Sequence, residues 1–390
     1  MTVELTGAAV AALRAQLAAR ESDLRALMRD LVEIESPSGD LAGSSAVVAR
    51  LTEAALDLPG LTSVERLPVD NYGEHLRLHF YADDQRVTQT TLLLGHTDTV
   101  HARGALAARP WRECEGRIYG PGIFDMKANC ALALEALRAC AGAGLTPQRP
   151  VVLLLTCDEE AGSQSGRTLV EAEAQHAAQV FVLEPSAGGG RVKTARKGTG
   201  MYTLALAGRA AHAGLDPEKG VSAILELAYQ IERLHVLSDL SVGTTVNVGV
   251  VRGGTRANVV AAEARAEIDV RFATTDEALR LDEAIKNLRP RDERTRLTIT
   301  GGINRPPLER TAAVAQLYEQ ARSIATALDY ELGETQVGGA SDGNFAAAVG
   351  ATVLDGLGVI GDGAHADHEH IIAADILPRA ALLAALIATL

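Results

Sequence analysis

The sequence predicts an α/β protein: a mostly parallel sheet flanked by helices, with a ferredoxin-like α+β domain inserted into it. Three observations carry that prediction. The run Val151–Cys157 is apolar, has strand length, and closes on Asp158-Glu159-Glu160, as expected of a strand covered on both faces that ends where a sheet opens to solvent. Strand-like and helix-like periods alternate on either side of it. Between residues 195 and 306 the rhythm changes to β-α-β-β-α-β, the ferredoxin-like order.

From the N-terminus, Leu13, Leu17, Leu24, Leu27, Met28 and Leu31 fall at helical spacing, giving one or two amphipathic helices that end near Ser36-Pro37-Ser38-Gly39. A further helix is expected over Ser44–Leu56, then short strands over Leu76–Tyr81 and Thr91–Leu94. A Gly- and Pro-rich loop holding Trp111 follows, and Asp125-Met126-Lys127 opens a helix reaching about Cys140. Beyond Val151–Cys157 come a helix from Ser165 to Gln175 and a strand over Val180–Leu183. In the inserted domain the expected strands are Met201–Ala207, Thr244–Val251, Ala264–Phe272 and Leu297–Thr300. The expected helices are the Val221–Ile231 stripe and Thr275–Leu288. After Pro306-Pro307 the first rhythm returns, with a helix over Ala312–Leu328, a strand over Ala351–Asp355 and a closing helix over Ile376–Leu390. The division is therefore 1–194 and 307–390 for a discontinuous large domain, and 195–306 for the insertion.

Composition narrows the function. At 390 residues, 47% hydrophobic and 22% charged, the chain has material for two domains and an extensive core. With aromatics at 3%, that core is aliphatic. A net charge of −13 argues against a nucleic-acid partner, because phosphate binding needs a basic surface. Cys114, Cys130, Cys140 and Cys157 have no short-spaced pairing and are expected to be reduced thiols. The first residues lack a basic region, and the apolar stretch from Ala8 to Leu13 is too short for a signal peptide or a membrane span. A cytoplasmic location without membrane contact is expected.

The chemistry gathers at strand ends. His96 and Asp98 follow one strand, Asp158, Glu159 and Glu160 the next, and Glu184 a third, while Asp125 precedes a helix. Taken singly, each has a structural explanation: an acidic triplet is a solvated turn, and an Asp before a helix is an N-cap. If the strands are parallel neighbours, however, these groups share one edge of the sheet. A mixed set of imidazole and carboxylate ligands suits zinc, or less selectively Mn or Co. Ligands in this number exceed one catalytic zinc and fit two metals sharing a bridging carboxylate, with a further carboxylate moving the proton of the attacking water. A dinucleotide site is disfavoured, because Gly188-Gly189-Gly190 lacks the G-x-G-x-x-G spacing.

At these residues the chain resembles the dinuclear zinc peptidases and deacylases that include bacterial glutamate carboxypeptidase, acetylornithine deacetylase and succinyl-diaminopimelate desuccinylase, and most of all the glutamate carboxypeptidases. The stretches that carry the likeness are Gly95-His96-Thr97-Asp98-Thr99-Val100, Gly120-Pro121-Gly122-Ile123-Phe124-Asp125-Met126-Lys127, Asp158-Glu159-Glu160-Ala161-Gly162-Ser163, Leu183-Glu184-Pro185, Arg196-Lys197-Gly198 and Gly363-Ala364-His365. The resemblance spans nearly the whole chain and implies a zinc-exopeptidase-like fold whose inserted domain is a lid and dimerisation surface. It implies two Zn2+ ions, replaceable by Co2+ or Mn2+, with His96 and Glu184 on the first, Glu160 and His365 on the second, and Asp125 bridging. Glu159 matches the general acid/base, and Asp98 the carboxylate that fixes the His96 tautomer. A cis peptide just after the bridging Asp is common in the family.

His212, in Ala210-Ala211-His212-Ala213-Gly214, matches a histidine that stabilises the tetrahedral oxyanion. Asn258 resembles a substrate-contacting lid residue, and Arg305 lies where these carboxypeptidases hold the substrate carboxylate, a task suited to a planar guanidinium. Gly339, in Gly338-Gly339-Ala340, is expected to offer backbone N–H groups to the same carboxylate. Within His365-Ala366-Asp367-His368-Glu369-His370, His365 fits the ligand pattern because a small residue follows it and Glu369 stands four positions on. His368 and His370 are expected to be bystanders. The implied reaction is metal-dependent cleavage of an amide bond beside a C-terminal or N-acylated amino acid, glutamate being the leading side chain. The implied substrate is a small peptide or N-acyl amino acid, and the assembly a homodimer. The alternatives are a biosynthetic deacetylase or desuccinylase, a dipeptidase, and a silent homologue that binds without turnover.

Overall fold

The structure, a computed structural model, describes residues 5–82 and 89–390; residues 1–4, on which part of the signal-peptide expectation rests, lie outside them. Backbone contacts divide the chain into one unit of Met1–Thr194, Arg310–Val337 and Ser341–Leu390, and a second of Ala195–Glu309 and Gly338–Ala340.

The first unit is built on a six-stranded sheet. Its strands are, in spatial order, Leu61–Val69, Gly73–Phe80, Val151–Thr156, Thr90–His96, Ala177–Val182 and Val353–Leu354. The last four run parallel, and the first two are antiparallel additions at one side. Every residue of Val151–Thr156 is buried, and so is all of Thr90–His96 after its first residue. Burial of successive residues means cover on both faces, the condition of interior parallel strands. The expected strand at Leu76–Tyr81 is longer and antiparallel, and its partner Leu61–Val69 was not expected. That strand lies at the sheet margin, carries Glu65, Arg66 and Pro68, and is only half-buried, so it lacks an apolar signal.

The expected N-terminal helical stretch forms two helices, Gly7–Ala19 and Glu21–Glu33. Both pack on Ala128–Gly142, which also packs against Ile376–Thr389. These last two helices are rich in Ala and Leu and buried almost all round, as helices apolar on every side must be. The helix expected to open at Asp125 instead begins at Ala128, behind a wide turn over Ile123–Lys127 that contains a cis Asp125–Met126 peptide. Gly95 makes room for that turn: a Cβ there would stand 2.6 Å from Met126 Cε.

The second unit is a four-stranded antiparallel sheet ordered Thr245–Gly253, Glu263–Phe272, Gly198–Ala207, Arg296–Arg305, with helices Ala223–His235 and Thr275–Lys286. Leu204, Ile268 and Phe272 alternate inward to meet Leu227, Leu281 and Ile285. The last strand runs to Arg305 rather than stopping near Thr300. Its apolar alternation fades at Gly301-Gly302, where the ladder to Gly198–Ala207 nonetheless continues.

Candidate metal centre

The three parallel strands Thr90–His96, Val151–Thr156 and Ala177–Val182 end together, so His96, the Asp158–Glu160 turn and Glu184 emerge side by side. The turn at Ile123–Lys127 delivers Asp125 beside them. The imidazole Nε2 of His96 lies 3.2 Å from Asp125 Oδ1 and 3.5 Å from Glu184 Oε1. His365 Nε2 lies 3.4 Å from Asp125 Oδ2 and 3.2 Å from Glu160 Oε2. The two oxygens of Asp125 thus face two different imidazoles, each accompanied by its own glutamate.

The electrostatics are those of a site short of positive charge. Burial alone would raise the Asp125 carboxyl, yet the His365 and His96 imidazoles hold it well below the usual carboxylate range. Burial raises the Glu160 carboxyl, and His365 offsets this only in part. His365, between Asp125 and Glu160, is pushed up to about 10. Burial disfavours charge on His96, but its carboxylate neighbours, Asp125 first, hold its pKa well above the ordinary value. Glu160 Oε1 is buried and has no protein hydrogen-bond partner. A buried, unpaired carboxylate oxygen is costly unless something cationic meets it. Ligand atoms of His96, Asp125 and Glu160 lie within 4.8 Å of one another. Donor chemistry, clustering and the orphaned oxygen all fit divalent metal.

Around the cluster the Asp158–Glu160 residues separate into different jobs. The Asp158 carboxylate accepts from the Ser165 and Gly166 N–H groups, at 2.6 Å and 3.2 Å, and so caps the helix Gly166–Gln175. The Asp98 carboxylate accepts the Glu159 N–H on Oδ1 and the Glu160 N–H on Oδ2, both at 3.1 Å, and the Ser38 hydroxyl at 2.5 Å. The His96 Nδ1 lies 3.0 Å from the Asp98 backbone oxygen and 3.5 Å from the Asp98 carboxylate.

Sequence reading passed over two participants. In the sequence Glu369 is only a spacing marker for His365, and His101 carries no motif. The Glu369 carboxylate is buried and accepts the N–H groups of Gly122, Phe124 and Asp125 at 2.8–3.0 Å, and it meets His101 Nε2 at 2.5 Å. The pattern around His365 held the one available signal, a Glu at fixed spacing; His101 had none. His370 lies in the strand His370–Ile372 with its Nδ1 2.9 Å from the His368 carbonyl, and His368 is exposed.

The remaining expected residues belong to the second unit. His212 is exposed, and its Nδ1 accepts the N–H groups of Gly214 and Leu215, both at 3.1 Å. That fixes the neutral ring's proton on Nε2, leaving Nε2–H as a donor. Asn258 sits beside this loop, its carbonyl accepting the Ala213 N–H at 3.0 Å. Arg305 closes the last strand opposite Thr199, next to a register shift. Gly339 is exposed, and its carbonyl accepts from the Arg196 guanidinium at 3.1 Å.

Residues 92–389 match peptidase family M20/M25/M40. The chain belongs to that family. It is 30% identical over 372 residues, 92% of this chain and 86% of the other, to carboxypeptidase G2 of Pseudomonas sp. (strain RS-16). It is 29% identical to a succinyl-diaminopimelate desuccinylase of Acidovorax ebreus, over 75% of this chain and 78% of that one. In fold it is similar to the aminopeptidase PepT of Bacillus cereus, with a TM-score of 0.76, 22% identity and cover of 95% and 98% of the two chains. As an M20 chain it is a metallopeptidase-type hydrolase with the mixed sheet and separate antiparallel sheet of the family. Among the described residues no helix is long and apolar enough to cross a membrane.

Proposed function

We propose that this M20 protein is a two-metal carboxypeptidase-like amidohydrolase acting on a small peptide or N-acyl amino acid with a free carboxylate. The observation that carries the reading is the division of Asp125, with one oxygen toward His96 and Glu184 and the other toward His365 and Glu160. His96, Glu184 and Asp125 would hold one ion, and His365, Glu160 and Asp125 the other. Zinc suits that donor set, with Co2+ or Mn2+ able to substitute. Bound there, the ions supply Lewis-acid polarisation of the scissile carbonyl and make a water acidic at neutral pH.

Glu159 takes the proton of the attacking water and returns it to the leaving nitrogen. Its position next to Glu160 suits this, since Asp98 fixes both backbone N–H groups. His212 donates its Nε2–H to the developing oxyanion. Arg305, with Asn258 and the backbone at Gly339, binds the substrate carboxylate. The second unit acts as lid and as the contact surface of a homodimer. Likeness to a carboxypeptidase over most of both chains supports the peptidase side, and the resemblance of the sequence motifs to glutamate carboxypeptidases makes a C-terminal glutamate the first substrate to try. Likeness to a desuccinylase keeps N-acyl amino acid deacylation as the second reading.

The test is turnover of N-acyl-glutamate, N-acyl-alanine and N-acetylornithine side by side, by the native enzyme and by Glu159→Gln. The variant is expected to keep its metal content and lose turnover. Near-native activity in Glu159→Gln would overturn the proton-transfer assignment, and preference for N-acetylornithine would move the enzyme to the deacetylases.

A further inference from the structure

Glu369 is a buried carboxylate with no place in the proposed reaction. It is 2% exposed, and its acceptor capacity is spent on one short stretch of backbone. Oε1 accepts the N–H of Phe124 at 2.8 Å and of Asp125 at 3.0 Å, while Oε2 accepts the N–H of Gly122 at 2.8 Å. His101 Nε2 approaches Oε2 at 2.5 Å, and the other face of that ring meets the Arg109 guanidinium at 3.3 Å from Nδ1. Arg109 reaches on to the Ala366 carbonyl at 3.3 Å and the Asp367 carboxylate at 3.2 Å. The turn carrying Asp125, the loop after His96 and the segment carrying His365 are therefore tied through one carboxylate.

The spacing within 365–369 gives that tie its direction. His365 lies in the left-handed backbone region at φ 63°, and Gly363 before it at φ 81°. This tight turn sends the His365 imidazole to Asp125 Oδ2 and, four residues on, the Glu369 carboxylate to the Asp125 backbone N–H. One segment thus grips Asp125 at both ends, at its carboxylate and at its amide. Three backbone N–H acceptances and a histidine contact leave the turn little freedom to rotate the Asp125 side chain.

We propose that Glu369, steadied by His101, is a positioning residue that fixes Asp125 in its bridging orientation and so sets how tightly the two metal positions are filled. The inference rests on the two-metal reading above. Residues behind metal ligands commonly change metal affinity 10–100-fold when replaced. The chemistry here is more specific than general support. In Glu369→Gln one acceptor becomes a donor, so either the Gly122 N–H and His101, or the Phe124 and Asp125 N–H groups, lose their partner.

The experiment measures zinc stoichiometry and affinity of the full chain by equilibrium titration for the native protein, Glu369→Gln, His101→Gln and Glu226→Gln. Glu226 is the matched control, a buried carboxylate of the second unit that accepts the Arg291 and Asp292 N–H groups at 2.9 Å and 3.0 Å. Glu369→Gln is expected to weaken zinc binding about 10–100-fold, with His101→Gln in the same direction and smaller. kcat should fall while KM changes little, and excess zinc should restore turnover. Glu226→Gln is expected to lower the unfolding midpoint and leave zinc affinity native. Native affinity in both Glu369→Gln and His101→Gln, with only the unfolding midpoint lowered, would overturn the positioning role. If Glu369→Gln does not fold, His101→Gln decides alone by the same criterion. A native protein that takes up no metal would instead sink the two-metal reading itself, which separates the two failures.

Discussion

Replacing Asp98 by Asn tests how the proton shuttle and a metal ligand are held in place. The Asp98 carboxylate is 3% exposed and divides its oxygens between the N–H groups of Glu159 and Glu160, with Ser38 on the second oxygen. Asn is the same size, but one oxygen becomes NH2. If the NH2 stands at Oδ2, the Glu160 N–H faces a donor and the Ser38 hydroxyl must turn to accept; if it stands at Oδ1, the Glu159 N–H is stranded. Either way one buried or half-buried N–H loses its acceptor, a cost of about 1–3 kcal/mol, and the surviving bond loses its charge assistance. Denaturant unfolding of the metal-free protein should therefore show Asp98→Asn less stable by roughly that amount. The turn carrying Glu159 and Glu160 is then free to shift, and a displacement near 1 Å at a catalytic group costs about 100-fold in rate. kcat is expected to fall on that order, with zinc affinity weakened about 10-fold or more. An Asp98→Asn protein with native stability, native zinc affinity and native kcat would refute the reasoning, because it would mean that the turn holds itself.

Two further outcomes follow from the same structure. Chelation should lower the thermal midpoint and abolish turnover, and zinc should restore both. Metal at about 100 times its dissociation constant contributes about 2.7 kcal/mol, so a midpoint indifferent to chelator would speak against a metal held by the folded chain. In the second unit, Arg280 and then the Thr244 hydroxyl hold the Glu277 carboxyl at about 2. A folded pKa below the unfolded value gives stability that is present above pH 4.5 and is lost as the pH falls through about 2. Because Arg280 is 41% exposed, the pair is worth only about 1 kcal/mol. Glu277→Gln should cost that much at pH 7 and progressively less on acidification, read by denaturant unfolding at each pH.

Elements whose residues announce themselves by burial were legible in the sequence. Val151–Thr156 and Ile376–Thr389 are mostly apolar and, Leu377 and Pro378 apart, buried along their length, so period and length sufficed. The inserted unit was legible because alternation survives along Gly198–Ala207 and Glu263–Phe272. Leu61–Val69 was not, since a marginal strand with charged residues has no pattern to detect. The turn at Ile123–Lys127 escaped for a different reason. Phe124 and Met126 look like helical core residues, but the backbone at Asp125 and Met126 is not helical, and the Phe124 and Asp125 N–H groups are taken by Glu369, far along the chain.

The site divides along the same line. Ligand types at parallel strand ends are a local signal, and strand register does the rest: with His96 beside Thr156, the residues that follow both strands must emerge together. What holds those ligands is not local. Ser38 meets Asp98, Asp98 meets the Glu159–Glu160 backbone, and Glu369 meets the Asp125 turn. In each case a side chain accepts from a distant donor, and in the last two that donor is a backbone N–H. Every non-proline residue has such an N–H, so it leaves no mark in the sequence. A carboxylate that accepts backbone N–H groups looks, in sequence, like one that binds metal. Asp98, Asp158 and Glu369 accept backbone N–H groups, with Glu369 also meeting His101, while Asp125, Glu160 and Glu184 turn oxygens toward the Nε2 atoms of His96 and His365. The structural criterion that separates them is where the oxygens point, and by that criterion the orphaned Oε1 of Glu160 is the atom that most directly calls for a cation.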